Sequence, residues 1–256
     1  MKKRLIFITN DDGYRASGIT TLIEMMRPYG DIVVVAPAEG QSGMSSALTV
    51  KTPVRLRKIK EESGLCIYAC KGTPADCVKL AMSHVFTRKP DLLVSGINHG
   101  ANTSISVIYS GTLGAAAEGT LYEIPSIGFS LANDYATDFA VCIPYGRKII
   151  EQVMKVPFDK RTFLNVNIPD LPLNEIKGIK FCRQNRGAWI EEFEKRTDPH
   201  GFDYYWMTGI YKNHEEEAGD TDENAVLNGY VAIVPHHLDM TDYRELERLK
   251  QVWELK

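Results

Sequence analysis

Two adjacent carboxylates, Asp11 and Asp12, follow the apolar run Ile6-Phe7-Ile8 after only Thr9 and Asn10, and Gly13 turns the chain behind them. Neighbouring carboxylates repel each other, and a divalent cation is the simplest neutralising partner. The competing reading is a plain turn, because Asp-Gly is a good turn dipeptide whose side chain bonds its own backbone. The doubled Asp at the end of an apolar, β-branched run favours metal ligation. In parallel α/β sheets, ligands bind outside the carboxyl ends of the strands, which is where this pair would stand.

Three further segments carry polar groups after predicted strands. Residues 37–46, Pro-Ala-Glu-Gly-Gln-Ser-Gly-Met-Ser-Ser, mix small residues and glycines, and read either as a surface loop or as backbone able to approach a ligand closely. Residues 95–104 run on to Tyr109-Ser110-Gly111-Thr112 and make a long connection, of the kind that inside compact domains is usually either functional or disordered; its Asn, Ser and Gly content with few charges fits a structured polar loop. Within it, Asn98 offers a neutral oxygen suited to a hard cation. Ser110-Gly111-Thr112 precedes an Ala-rich helix, where free amides and the helix dipole favour phosphate; Ser110 as a simple N-cap is the equal alternative. Gly72-Thr73-Pro74-Ala75-Asp76 is foremost a helix start, with Thr73 as cap and Pro74 in the first turn. His99 reads as a bystander or substrate contact ahead of a general acid or base. His236 and His237 would point apart, against a shared metal. Arg183, Arg186, Arg196 and the aromatics Tyr204, Tyr205 and Trp206 either rim a nucleotide cleft or belong to a hairpin packed on itself.

The elements that must position these groups alternate. Strands are expected at Leu5–Thr9, Asp31–Pro37, Asp91–Ser95, Ile124–Phe129 and Phe163–Ile168, with Thr49–Ile59 paired to Leu65–Ala69. Helices are expected at 18–29, 74–86, 112–122 and 138–156, the last with Pro144 near its start. Such alternation with short apolar strands predicts an α/β fold, a Rossmann-like, mostly parallel doubly wound sheet. Beyond about residue 170 the pattern shifts to strands at 178–184, 201–211 and 230–234, a hairpin around Phe202–Trp206, and an amphipathic helix over 243–254. The chain reads as one domain over 1–256, with a core to about 170 and a C-terminal hairpin-and-helix extension that suits contacts between subunits.

A length of 256 residues supports a sizeable core, and a formal net charge of -3 gives no bulk attraction for a nucleic-acid polymer or a membrane surface. No apolar stretch approaches a membrane span, and the basic start leads into only four apolar residues, Leu5–Ile8, too few for a secretion signal. Five scattered cysteines without Cys-x-x-Cys spacing read as reduced, buried thiols, so the expected location is the cytoplasm.

Several segments occur together in a recognisable order: Thr-Asn-Asp-Asp-Gly, Gln-Ser-Gly, Gly-Thr-Pro-Ala-Asp-Cys-Val, Ser-Gly-Ile-Asn-His-Gly-Ala-Asn, Tyr-Ser-Gly-Thr-Leu-Gly-Ala-Ala-Ala-Glu-Gly and Leu-Asn-Val-Asn-Ile-Pro. Arg-Thr-Asp-Pro-His-Gly-Phe-Asp-Tyr-Tyr-Trp and Gly-Asp-Thr-Asp-Glu-Asn-Ala-Val follow. With these, nearly the whole chain resembles SurE, the survival-protein family of metal-dependent nucleotidases. The resemblance implies a Rossmann-like core, hydrolysis of nucleoside 5'- and 3'-monophosphates, in some members cleavage of short polyphosphate, and a homodimer or homotetramer built through the hairpin and terminal helix. It also implies one divalent cation per subunit, Mn2+ or Mg2+, on Asp11, Asp12, Ser42 and Asn98. All four are oxygen donors, as a hard cation requires. On that basis Asp11 and Asp12 are the expected catalytic pair, and Gly43, Asn102, Ser110, Gly111 and Thr112 the expected phosphate cradle. Attack by an activated water and a covalent aspartyl-phosphate both remain open. The chain departs from the family's habit at Ala38-Glu39-Gly40 and at Val234-Pro235-His236-His237. A nucleotide-binding sensor without turnover is the alternative from a different class, and a dinucleotide oxidoreductase is disfavoured because no Gly-x-Gly-x-x-Gly follows the first strand.

Overall fold

The computed structural model describes residues 3–156 and 158–253. Its frame is a nine-stranded sheet. The parallel heart comprises β1 (Leu5–Thr9), β2 (Asp31–Pro37), β4 (Leu65–Cys70), β5 (Leu92–His99), β6 (Ser126–Leu131) and β7 (Thr162–Ile168). β3 (Leu56–Glu62) adds an antiparallel edge beside β4. On the far side β13 (Val231–His237) runs antiparallel to β7, and β8 (Ile179–Phe181) lies parallel to β13. The sheet therefore continues through the boundary expected near residue 170. Read across, the order is β3-β4-β2-β1-β5-β6-β7-β13-β8. The chain leaves β1 toward β2 and returns to β5 on β1's other side, which creates a crevice at the carboxyl ends of β1 and β5.

Alternation inside single strands divides the core between the two faces. Ile6 and Ile8 of β1 join a cluster with Ile19, Leu22 and Met25 of α1 (Ser17–Met26) and Ile149 and Ile150 of α4 (Cys142–Lys155). Phe7, pointing the other way, packs with Val35, Leu93, Val78 and Ala81 of α2 (Pro74–His84), and Ala115 of α3 (Gly111–Leu121). Helices thus cover both faces, as the unbroken apolar strands require.

The departures from expectation have local causes. The strand foreseen over 49–59 is regular only from Leu56, because Pro53 donates no ladder hydrogen bond and Thr49 is held instead by Asp76. Pro125 delays β6 to Ser126, and Pro28 turns the end of the first helix into a 3₁₀ turn at Arg27–Tyr29. α4 begins at Cys142, with Pro144 inside its first turn. β5 runs four residues past its expected end, and Asn98 and His99 pair with Ser130 and Leu131 after a shift in register. The expected strand over 201–211 breaks at Gly209, whose φ is +133°, into β11 (Asp203–Met207) and β12 (Ile210–Asn213). β11 pairs with β10 (Phe193–Thr197) and β12 with β9 (Gly187–Ile190). A short helix, α5 (Asp222–Leu227), has no counterpart among the expected elements. The terminal helix, α6, spans Tyr243–Val252; its foreseen last residue, Glu254, lies outside the described residues.

One close approach fixes the crevice wall. A Cβ on Gly18, in the first turn of α1, would stand 2.0 Å from the carbonyl oxygen of Ile97 in β5. Gly18→Ala is expected to lower stability by about 1–3 kcal/mol in urea unfolding, the usual cost of overpacking. Gly219→Ala, where a Cβ would meet nothing within 4 Å, should stay within about 0.5 kcal/mol of the parent.

Candidate active site

The loop after β1 is closed by Asn10. Its side-chain amide donates to the Gly13 carbonyl at 2.9 Å and its side-chain oxygen accepts the Gly13 N–H at 3.2 Å. The turn chemistry falls to Asn10, so neither carboxylate is consumed by it. Asp11 is only 3% exposed, and burial, the largest cause, raises its carboxyl pKa to about 6. The Thr112 hydroxyl donates to Asp11 and opposes that shift, while the Asp12 charge adds to it. Asp12 is partly exposed, and its Oδ2 lies 3.2 Å from Nδ1 of His99. The His99 ring stands edge-on to Phe139, with centroids 4.8 Å apart, which fixes its orientation.

Backbone ties bring the other loops to this pair. The Gln41 N–H donates to the Asp11 carbonyl at 2.7 Å, which ties the loop carrying Ser42 and Gly43 to the main chain at Asp11. The same loop is anchored farther on, where the Ser45 N–H and hydroxyl donate to the carbonyls of Tyr109 and Ile108 at 3.1 and 2.7 Å. The side-chain amide of Asn98 donates to the carbonyls of His99 and Gly100 at 2.7 and 2.9 Å. That arrangement leaves the Asn98 Oδ1 without a donor among the described residues. Ser110 caps α3, accepting the Leu113 N–H at 3.2 Å. The Gly111 N–H lies in that first turn, with no helical carbonyl before it.

Four of the expected groups, Asp11, Asp12, Ser42 and Asn98, thus belong to loops gathered at one crevice. Asp12, Ser42 and Asn98 each retain an oxygen with no hydrogen-bond partner among the described residues. Two carboxylates and two neutral oxygens fit a hard cation. Among the described residues no group of three or more His, Cys, Asp and Glu side chains is placed to hold a metal ion by itself, so a cation here would draw on the neutral oxygens as well as the carboxylate pair.

The expected cradle residues divide. Gly111 stands against Asp11, where a Cβ would lie 2.8 Å from the Asp11 Cβ; Gly43 belongs to the loop that Gln41 ties to Asp11, and Ser110 is the cap of α3. Thr112 gives its hydroxyl to Asp11, which leaves its main-chain N–H as the group it could offer a phosphate. Asn102 is buried: its N–H donates to Asn167 at 2.7 Å, its amide to Ser130 at 2.9 Å, and its carbonyl accepts from Asn165 at 2.8 Å. Asn165 and Asn167, two apart in β7 and so on one face, clamp the long loop. An Asn-x-Asn pair inside an apolar strand is the sequence signal for that clamp. Farther along, the Ser104 N–H donates to Asp222 of α5 at 3.0 Å and its hydroxyl to the Asn185 carbonyl at 3.0 Å. Asp222 is fully buried, which raises its carboxyl pKa. Arg183 is held by Glu215 and Asp220, and Arg196 by Glu194, so neither guanidinium rims a cleft as a free cation. Tyr204, Tyr205 and Trp206 are exposed on β11 and form no packed hairpin interior. His236 is half-buried and stacked on Phe163, and its desolvation pushes its pKa down to about 4, while His237 stays exposed; the two do not converge.

Residues 6–191 match the family described as Survival protein SurE. The chain is 47% identical to the 5'-nucleotidase SurE of Flavobacterium psychrophilum over the whole of this chain and 99% of that protein. It is 49% identical to the 5'-nucleotidase SurE of Bacteroides thetaiotaomicron over 97% of this chain and 95% of that protein. The crystal structure of the SurE protein from Aquifex aeolicus is similar with a TM-score of 0.83 at 38% identity, covering 97% of this chain and 99% of that one.

The Asp11 carboxyl makes a stability prediction for the protein held in a chelator. Its raised pKa means the ionised form costs the fold: the cost is absent below the ordinary value of 3.8 and grows as pH rises through about 6. It reaches about 3 kcal/mol near pH 7. Asp11→Asn is expected to melt higher than the parent at pH 7.5, with the difference vanishing toward pH 4. A gap that stays constant across thermal melts over this range would remove Asp11 as the titrating group.

Proposed function

The chain belongs to the survival protein SurE family and is a 5'-nucleotidase, and from that premise we propose that it is a metal-dependent phosphohydrolase acting on nucleoside 5'- and 3'-monophosphates, with short polyphosphate as a further substrate. The observation that carries this reading is the buried Asp11 beside Asp12, set at the start of α3 with oxygens of Asp12, Ser42 and Asn98 uncommitted around them.

Asp11, Asp12, Ser42 and Asn98 would hold one divalent cation, Mn2+ or Mg2+. When bound, it supplies positive charge to the phosphoryl oxygens and makes water more acidic. Asp12, steadied by His99, orients the attacking water in line with the leaving oxygen. The Gly111 N–H and the dipole of α3 face the phosphoryl charge, with the Gly43 backbone and the Ser110 hydroxyl at its edge. Thr112 acts one step back, fixing Asp11 through its hydroxyl, and Asn102 holds the loop between the two ends of the site.

Outside the site, α6 has no buried residue in the single chain, and β10 and β11 expose Phe193, Tyr205 and Trp206. Both support a homodimer or homotetramer formed through the hairpin and terminal helix. The five free cysteines suit a reducing cytoplasm. Among the described residues no helix is long and apolar enough to cross a membrane.

Chelation is expected to abolish phosphate release from a panel of 5'- and 3'-monophosphates, and added Mn2+ or Mg2+ to restore it. Asp12→Asn should fold normally, bind the cation weakly and lose kcat by more than about 100-fold, beyond the loss usual for a supporting partner. Full turnover in chelator, or near-normal turnover by Asp12→Asn, would end the metal-dependent reading. Nucleotide binding without release under any cation would mark a sensor.

A further inference from the structure

Residues 38–55 connect β2 to β3, and none of them is buried. With no side chain in the core, the segment is placed by its hydrogen bonds. Ser42 lies within it, so the position of its hydroxyl depends on the ties to either side. Before Ser42, the Ala38 N–H donates to the Cys70 carbonyl and the Gln41 N–H to the Asp11 carbonyl, both at 2.7 Å. After Ser42 come the bonds of Ser45 to Ile108 and Tyr109, and then two bonds to the start of α2.

The start of α2 does more than begin a helix. The Thr73 hydroxyl accepts the Asp76 N–H at 3.1 Å, and the Asp76 carboxylate accepts the Thr73 N–H at 2.9 Å. Those two bonds complete a capping box. Yet both side chains also reach the loop: the Thr73 hydroxyl donates to the Ala47 carbonyl at 2.7 Å, and Asp76 accepts the Thr49 N–H at 3.1 Å. The helix start needs neither of these. Both side chains are buried, and the acceptor for Thr49 is charged, which strengthens the bond. Gly72 makes the room, since a Cβ there would stand 2.8 Å from Asp76 Oδ2. Between this strap and Ser42, Ser45 is held at φ +51°. A serine keeps such a conformation only where its surroundings impose it. Once released, the loop is free to leave it three residues after Ser42.

We propose that Asp76, with Thr73, is a positioning residue for the cation site: it straps residues 47–49 to α2 and so keeps the Ser42 hydroxyl where a cation on Asp11 and Asp12 can use it. Asp76 itself touches neither cation nor substrate. The proposal rests on the metal-dependent reading above and gives the Gly-Thr-Pro-Ala-Asp segment a task besides capping.

The test measures Mn2+ affinity of the full chain from the paramagnetic resonance signal of free Mn2+, and beside it kcat for adenosine 5'-monophosphate as Mn2+ is raised. Asp76→Asn keeps one oxygen for the Thr73 N–H and turns an amide toward Thr49, so the cap survives and the strap does not. Its Kd for Mn2+ should rise about 10-fold, the size usual for a group that orients a ligand from behind. At saturating Mn2+, kcat should return to nearly the parent value, whereas a fold-wide defect would lower it at every Mn2+ concentration. Ser42→Ala should also bind Mn2+ more weakly, and adding Asp76→Asn to it should cost nothing further, because the strap acts through that hydroxyl. Should Asp76→Asn fail to fold by circular dichroism, Thr49→Pro removes the donor from the loop side and leaves the cap whole. Parent-like Mn2+ affinity in a folded variant, or losses that multiply in the double variant, overturn the strap and leave the metal site in place. A parent that takes up no Mn2+ overturns the metal-dependent reading and the strap together.

Discussion

A carboxylate withdrawn from water beside a second carboxylate is an unstable arrangement, and much of this molecule is organised to hold it. Asp11 has little room to move out, because it lies two residues beyond the end of β1, a strand buried on both faces. Compensation has to come to it, and it comes from the start of α3, through the Thr112 hydroxyl and the dipole of the helix. That helix must stand close. A Cβ on Gly111 would lie 2.8 Å from the Asp11 Cβ, and one on Gly114 would lie 2.3 Å from the Ser45 carbonyl oxygen. Gly-Thr-Leu-Gly-Ala-Ala-Ala is a sequence of modest helix propensity at its glycines, tolerated because small residues permit this contact.

The long connection between β5 and α3 is rigid for a different reason. It contains only one short 3₁₀ turn, yet it is buried over much of its length. Its polar backbone is satisfied from outside, by Asn165 and Asn167 at Asn102 and by Asp222 and Gln184 at Ser104. Elements far apart in sequence thereby fix the spacing between Asn98 and the helix start at Ser110. The Asp222 contact also joins α5 to this connection.

The parallel strands were legible because each is a short apolar run with a turn signal after it, and the crevice followed from their order. Asp11 and Asp12 stood out because a doubled carboxylate after such a run has few structural uses. Less visible were the pairings across long separations. His99 meets Asp12 from 87 positions away, and Thr112 meets Asp11 from 101. Thr112 was expected to face phosphate because its place at a helix start is indistinguishable, in sequence, from that of a residue turned toward the neighbouring strand. α5 was hidden by its six-residue length, too short for a helical period to declare itself. The hairpin strands lie exposed in the single chain, so no buried face imposes an alternation on them.

The frame around the carboxylates is tied mostly through main-chain atoms: Tyr14 N–H to the Pro37 carbonyl, Gln41 N–H to Asp11, Ser45 N–H to Tyr109. Main-chain bonds are indifferent to side-chain identity. Residues 38–40 can therefore drift in type without displacing Ser42, and Ala38-Glu39-Gly40 reads as an instance of that freedom. For protein engineering this marks a rim segment open to redesign, where charge or bulk near the carboxylate pair can be altered while the anchoring of the loop is left as it stands.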